Sequence, residues 1–258
     1  MSTAAMTKST LGERIEPDSR YEFKAFRYSS HYWILKLLER ESAPVRILDV
    51  GTAGGYLGKV WSAKGHRVSG IEFDPAAAET ARRHYESFDV ADAETYAFPQ
   101  RREFDYIVFA DVLEHLRDPA AVLRRCLPAL KESGKIIISV PNVANWVIRL
   151  SLLFGKFEYM DRGILDRTHL RFFTLRSAKE LLQDASCRVL RVIPTPLPVQ
   201  LVAPFMDKKI YSPFHGALYF VTRMWKAAFA YQFVVLASPL SFEAEKDLPR
   251  HASDLVHR

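Results

Sequence analysis

The sequence predicts a doubly wound α/β fold, and three observations predict it. The stretch from Val45 to Val50 reads as a buried strand. It runs straight into a turn of small residues, Gly51, Ala53, Gly54 and Gly55, and then into a helix towards Lys64. A second strand, from Arg67 to Asp74, follows at once and carries Glu72 near its end, 21 residues beyond Gly51. Apolar strand-like runs then keep alternating with helical segments, the pattern of a mainly parallel sheet covered on both faces.

The remaining elements follow in order. From Tyr21 to Glu41, Tyr28, Tyr32, Leu35 and Leu38 recur at helical spacing, which predicts an amphipathic helix ahead of strand one. Residues 1–44 therefore read as a polar lead plus a helix that covers a ligand or packs on the core. Pro75 opens a helix through about Tyr85, because proline is tolerated at the first helical position. Phe88 to Ala91 is a short third strand ending at Asp92, and Phe104 to Phe109 is a fourth, apolar enough to be buried on both faces. Pro119 starts a helix to about Lys131, residues 132–134 make a turn, and Lys135 to Val140 is strand five. Trp146 to Phe154 reads as an apolar helix, and Leu175 to Ala185 as another, capped by Thr174. Cys187 to Ile193 is strand six and the proline-rich 194–198 a breaker. Phe214 to Ala230 is an apolar-rich helix, and Tyr231 to Ala237 is the last strand. The main domain is expected over 45–240, with lid or cap segments at 142–173 and 196–230 and a flexible tail at 241–258.

Composition narrows the function classes. The 258 residues suit one large α/β domain, and 48% hydrophobic content is that of an ordinary globular chain. The net charge of +6 mildly favours anionic partners. No basic run reaches five residues, so nucleic acid is not expected as a partner. Cys126 and Cys187 lack disulfide or zinc spacing and read as reduced core thiols. The polar start has no signal-peptide pattern, and no apolar run is long enough to span a bilayer. A cytoplasmic location is expected on these grounds.

The chemistry of the glycine turn separates two ligand classes. A dinucleotide site starting at Gly51 would want glycines at 53 and 56, where the chain has Ala53 and Tyr56. The pattern present is Asp49-x-Gly51-x-Ala53-x-Gly55. It resembles motif I of class I S-adenosylmethionine (SAM)-dependent methyltransferases, with one glycine replaced by alanine. An acid at the strand end suits the ammonium of a methionine moiety and would repel a pyrophosphate. Glu72 can accept from both ribose hydroxyls. A plain strand–turn–helix without a ligand is the competing reading.

Further stretches extend the resemblance over about residues 45–240: residues 70–75, Ala110-Asp-Val-Leu-Glu-His115, and residues 163–173 containing Asp166-Arg-Thr-His169. Together they resemble the branch of class I SAM-dependent methyltransferases that includes ubiquinone-biosynthesis-type O-methyltransferases and glycan-cluster methyltransferases. The resemblance implies a Rossmann-like, seven-stranded, mostly parallel sheet with the last strand antiparallel, plus an inserted lid. It places Asp92 on the adenine amino group and Ala93 beside the ring. The expected cofactor set is Asp49, Gly51, Ala53, Gly55, Glu72, Asp92, Ala93 and Asp111.

Asp111, Glu114, His115 and His169 resemble a divalent-metal motif of that branch, suited to Mg²⁺ or Mn²⁺, with aspartate where glutamate is usual. His115 or His169 could instead act as general base, or the group could brace the cofactor loop. Arg162, Arg167, Arg171 and Arg176 lie among aromatics, either as a grip on an anionic acceptor or as a solvated face. The 214–230 helix suits a membrane surface, a partner or the sheet. The implied function is methyl transfer from SAM to a hydroxyl of a small molecule or glycan precursor, anionic or lipid-linked. A non-catalytic SAM-fold module and a nicotinamide-dependent oxidoreductase are the alternatives.

Overall fold

A computed structural model describes residues 26–199 and 209–240. The expected flexible lead and tail, and part of the 196–230 cap, lie outside those residues. One seven-stranded sheet dominates, in the order β3-β2-β1-β4-β5-β7-β6. Its strands are β1 (Arg46–Val50), β2 (Arg67–Glu72), β3 (Ser87–Val90), β4 (Phe104–Ala110), β5 (Leu130–Pro141), β6 (Cys187–Thr195) and β7 (Gln232–Pro239). The first five strands pair in parallel, and β7 inserts antiparallel between β5 and β6. The chain reverses order beside β1, so the C-terminal ends of β1 and β4 flank the crevice where such sheets bind ligands.

Helices cover both faces. On one face α1 (Ser30–Leu38) and α2 (Tyr56–Ala63) bury Ile34, Leu38, Leu57 and Trp61 against Ile47, Val68 and Val108. On the other, α4 (Pro119–Cys126) and α6 (Leu175–Asp184) bury Val122, Leu123, Leu181 and Leu182 against Leu48, Val50, Ile107 and Phe109. The strand period of two sends Leu48 and Val50 to one core and Ile47 to the other. Asp74 and Asp118 cap α3 (Pro75–Ala81) and α4, each just before a proline at the first helical position. Thr174 caps α6 as expected, in a reciprocal box with Ser177. Both cysteines are buried free thiols.

Several expected boundaries move, each for a local reason. Helix α1 starts at Ser30, because Tyr28 takes a positive φ of 71° and Ser29 caps the helix by accepting from the Tyr32 amide, 3.0 Å away. Residues 21–25 of the longer expected helix lie outside the described ones. Helix α3 gives way at Ala81 to a tighter turn over Arg82–His84. Helix α4 ends at Cys126, where Leu127–Ala129 tightens into a 3-10 turn containing Pro128. Strand β5 then begins at Leu130, and the expected turn at 132–134 is an irregularity within that strand.

Pro194, expected to break β6, pairs with Phe233 inside it. Strand β6 is an edge strand, so a residue lacking an N–H can be accommodated there. The expected 214–230 helix is two helices, α7 (Ser212–Met224) and α8 (Lys226–Phe229), broken where Trp225 leaves helical geometry at φ −124° and ψ 56°. The lid contributes α5 (Trp146–Leu153), capped by Asn145. Asn145 and Asn142 donate side-chain amide hydrogens to the Ala230 carbonyl at 2.9 and 2.8 Å, tying the lid to the end of α8.

Candidate active site

The glycine turn leaves β1 through alternating left-handed residues: Gly51 at φ 73°, Ala53 at 46° and Gly55 at 77°. A Cβ on Gly51 would lie 2.5 Å from Val112 Cγ2, and one on Gly55 would lie 2.8 Å from the Ala81 Cα, so both positions need glycine for space as well as for φ. Ala53 takes the same hand at a cost of about 1 kcal/mol. Glu72 compensates: its Oε2 accepts the Ala53 N–H at 2.7 Å, and its Oε1 accepts the Asp74 N–H at 2.9 Å. Glu72 thus spans from the end of β2 to the turn, with lone pairs remaining on both oxygens.

Asp49 is buried on the β1 side facing α1 and α2. Its Oδ2 accepts from the Tyr85 hydroxyl at 2.7 Å, and its Oδ1 is buried without a hydrogen bond. Burial raises its carboxyl to about 7; the Tyr85 bond opposes the rise and the charge on Glu72 reinforces it. An unpaired buried carboxylate oxygen at the base of the glycine turn fits the ammonium of a methionine moiety, directly or through a water.

The sign of the linkage follows. An unfolded aspartate ionises near pH 4, so Asp49 costs nothing below that pH. The penalty grows as pH rises to about 7 and is complete above it. Asp49→Asn is expected to raise stability at pH 8 by about 2–4 kcal/mol, with little change at pH 4. Urea unfolding at both pH values checks this; an equal effect at the two would mean that no buried charge is involved.

Beyond β3, Asp92 Oδ1 accepts the Glu94 N–H at 2.8 Å, and its carbonyl accepts from the Tyr96 amide. Arg125 of α4 donates to the Ala93 and Glu94 carbonyls at 2.8 and 2.7 Å. Glu94 Oε1 in turn accepts the Arg117 and Asp118 amides, both at 2.9 Å. The turn after β3 is therefore held to the start of α4. Tyr85, Glu94 and Arg125 escape sequence reasoning, because no local pattern marks them.

After β4 the chain kinks at Asp111, φ 58°. The Ser139 hydroxyl of β5 both accepts the Asp111 amide at 2.9 Å and donates to its Oδ1. Glu114, His115 and His169 form a cluster whose ligand-type atoms all lie within 4.8 Å of one another; Asp111, expected with them, is outside it. The shorter acid reaches Ser139 instead.

The lid completes the cluster. The Glu114 carbonyl accepts the Leu170 and Arg171 amides at 2.8 and 3.0 Å, and the Arg171 guanidinium donates to the Arg117 carbonyl. Asp166 accepts the Thr168 amide and hydroxyl at 2.8 and 2.7 Å. The Thr168 carbonyl lies 3.2 Å from His115 Nδ1, and the Ile164 carbonyl 3.1 Å from His169 Nδ1. A carbonyl can only accept, so neutral His169 carries its hydrogen on Nδ1 with the lone pair on Nε2, while His115 Nδ1 also lies 3.2 Å from the Thr168 hydroxyl. The rings meet edge to face, centroids 4.9 Å apart. Burial, then the neighbouring His115, pushes the His169 pKa below the ordinary histidine value, which keeps it neutral.

The arginines of the lid are largely engaged. Arg167 pairs with Asp161 at 3.3 Å, Arg176 with Glu180 at 2.8 Å, and Arg171 holds the Arg117 carbonyl. These bonds shape the lid, and both readings of the arginines, a grip on an anionic acceptor or a solvated face, stay open.

A seven-stranded Rossmann-like sheet with a glycine-rich turn after β1 and an acid at the end of β2 is the architecture of class I SAM-dependent methyltransferases. The chain belongs to the methyltransferase domain family, whose model matches residues 23–192. It is 33% identical over 135 residues to a ubiquinone biosynthesis O-methyltransferase of Xanthomonas axonopodis pv. citri, covering 50% of this chain and 56% of that protein. It is 37% identical over 103 residues to the enzyme of the same name from Thiobacillus denitrificans, covering 38% and 44%. The chain thus spans about half the length of the curated relatives it matches. A SAM-dependent methyltransferase from Archaeoglobus fulgidus shares the fold at TM-score 0.57 and 15% identity, covering 80% of this chain and 91% of that one. One from Mesorhizobium loti does so at 0.55 and 15%, covering 81% and 97%.

Proposed function

We propose that the protein transfers a methyl group from SAM to a hydroxyl oxygen of a small-molecule or glycan-type acceptor, with a divalent cation held by Glu114, His115 and His169. The observation that carries this reading is the cluster itself: one buried carboxylate and two imidazoles, each ring with a backbone carbonyl beside its Nδ1. Asp49 and the glycine turn hold the methionine end, Glu72 the ribose and the Asp92 turn the adenine. Bound SAM supplies an already activated sulfonium methyl. The chain's task is then alignment of the acceptor and removal of its proton. A mixed oxygen and imidazole donor set suits Mn²⁺ or Zn²⁺ as well as Mg²⁺, and an ion there would make the acceptor hydroxyl more acidic.

A second reading makes His169 the general base without metal. Its lowered proton affinity and half-buried ring favour it. Calorimetric titration of chelator-stripped protein with Mn²⁺ and Zn²⁺ separates the two. One ion per chain, lost in Glu114→Ala, is the expected result. No binding, together with methylation of catechol-type or sugar acceptors in chelator, would leave the base reading alone. The resemblance to ubiquinone-type enzymes favours phenolic acceptors as the first set to screen. If SAM binds but no acceptor is turned over and His169→Ala changes only stability, the chain is a non-catalytic module.

A further inference from the structure

The lid and the α7–α8 segment carry an apolar surface on the outside of the molecule. On α7, Phe214, Ala217, Phe220 and Met224 recur at three- to four-residue spacing and are exposed, while His215 and Thr222 on the opposite side are buried. Leu218, Tyr219 and Val221 are half-buried, so the helix is apolar on both its inner and outer sides. Its inner side packs on β6 and on the α1 region, where Tyr219 stacks on Tyr28 at 4.5 Å. At the lid, Leu153 is 78% exposed and Phe154 71%, with Leu150 beside them.

The two segments join through rings. Trp146 of α5 lies 6.5 Å from Phe229, and Phe229 lies 6.1 Å from Trp225, which is 61% exposed. The Asn142 and Asn145 bonds to the Ala230 carbonyl fix this junction. The two segments carry cations only, and the exposed acids Glu158 and Asp161 follow at the lid's next turn. Residues 142–157 and 210–230 contain no aspartate or glutamate, and their cations are Arg149, Lys156, Arg223 and Lys226, all exposed.

We infer that this face docks on an anionic lipid surface, with the apolar side chains entering the interface and the four cations meeting the headgroups. Exposed tryptophan, leucine and phenylalanine interspersed with Arg149, Lys156, Arg223 and Lys226 match what an interfacial helix needs. A protein partner or a second copy would have to meet four cations, and residues 142–157 and 210–230 of a second copy offer no acids to do so. Among the described residues no helix is long and apolar enough to cross a membrane, so the contact lies along the surface. The lid that carries α5 also supplies His169, so docking sets the candidate site beside the bilayer.

The test needs neither SAM nor an acceptor, so it stands or falls apart from the proposed reaction. The full chain is mixed with vesicles of phosphatidylcholine alone and of phosphatidylcholine with phosphatidylglycerol, and binding is read by sedimentation and by tryptophan emission. Binding to the anionic vesicles with a blue shift is expected, weakened by about tenfold or more in the double variant Leu153→Ser, Phe154→Ser and in Phe220→Ser. It should also weaken in Arg223→Gln with Lys226→Gln. These positions are exposed, and melting curves confirm that each variant folds. Failure to bind either vesicle, or binding unaltered by the apolar substitutions, would overturn the inference. So would a dimer in light scattering that the same apolar substitutions dissolve, since the face would then belong to a second copy.

Discussion

Replacing Glu72 with alanine is expected to weaken SAM binding by about a hundredfold or more, because ribose and turn lose the same carboxylate. Its two oxygens already hold the Ala53 and Asp74 amides, and their remaining lone pairs can accept from the ribose hydroxyls of the proposed SAM site. Hydrogen bonds to a charged group are worth about 1.5–3 kcal/mol each, so two lost bonds span roughly two to four orders of magnitude. Ala53, held left-handed at φ 46°, would also lose the bond that keeps it there. Glu72→Gln has the same length but one acceptor oxygen, so a loss of about tenfold is expected. Calorimetric titration with SAM, alongside melting curves, provides the measurement. A folded Glu72→Ala protein with wild-type affinity would show that Glu72 serves the turn alone.

The second large effect falls on chemistry rather than binding. His169→Ala should lower turnover of a hydroxyl acceptor by about 10²–10⁴, the usual contribution of a positioned acid–base group. SAM affinity should stay within about threefold of wild type, because the Glu72 and Asp92 turns are untouched. The pH profile carries a sign. Burial and His115 lower the proton affinity of His169, so its lone pair persists to lower pH than an ordinary histidine's. Wild-type turnover should accordingly hold on the acid side until pH passes below the ordinary histidine range. Bound metal counted in the same variant distinguishes the two roles: a ligand loses the ion with the ring, whereas a base leaves the count unchanged. Turnover equal to wild type would remove His169 from the reaction.

Much of the candidate site was legible because it is local. The glycine turn, Glu72 and the Asp92 turn lie at or just after the C-terminal end of a parallel strand, where open α/β sheets commonly bind ligands. What supports them was not legible. Tyr85 meets Asp49 across 36 residues, Ser139 meets Asp111 across 28, and Thr168 meets His115 across 53. No periodicity marks such partners, since each lies on a different element brought near only by sheet order. Pro194 failed as a strand breaker for the same reason: a proline is costly in a central strand and tolerable at an edge, and pairing order decides which strand is the edge.

The sequence by itself determined the fold class, the antiparallel last strand implied by the family, and the identities of the residues after β1, β2, β3 and β4. Those features rest on short-range chain geometry and on patterns of one or two consecutive elements. Tertiary structure decided which acids and histidines meet. It put Glu114 with His115 and His169 and sent Asp111 to Ser139, because the reach of a side chain is about one bond length per carbon while its partners are placed by the packing of the lid. It also decided that the outer side of α7 is exposed among the described residues. A stripe of apolar residues records only that a face avoids water, and whether the sheet, another chain or a lipid surface covers it depends on which side the neighbouring elements already occupy.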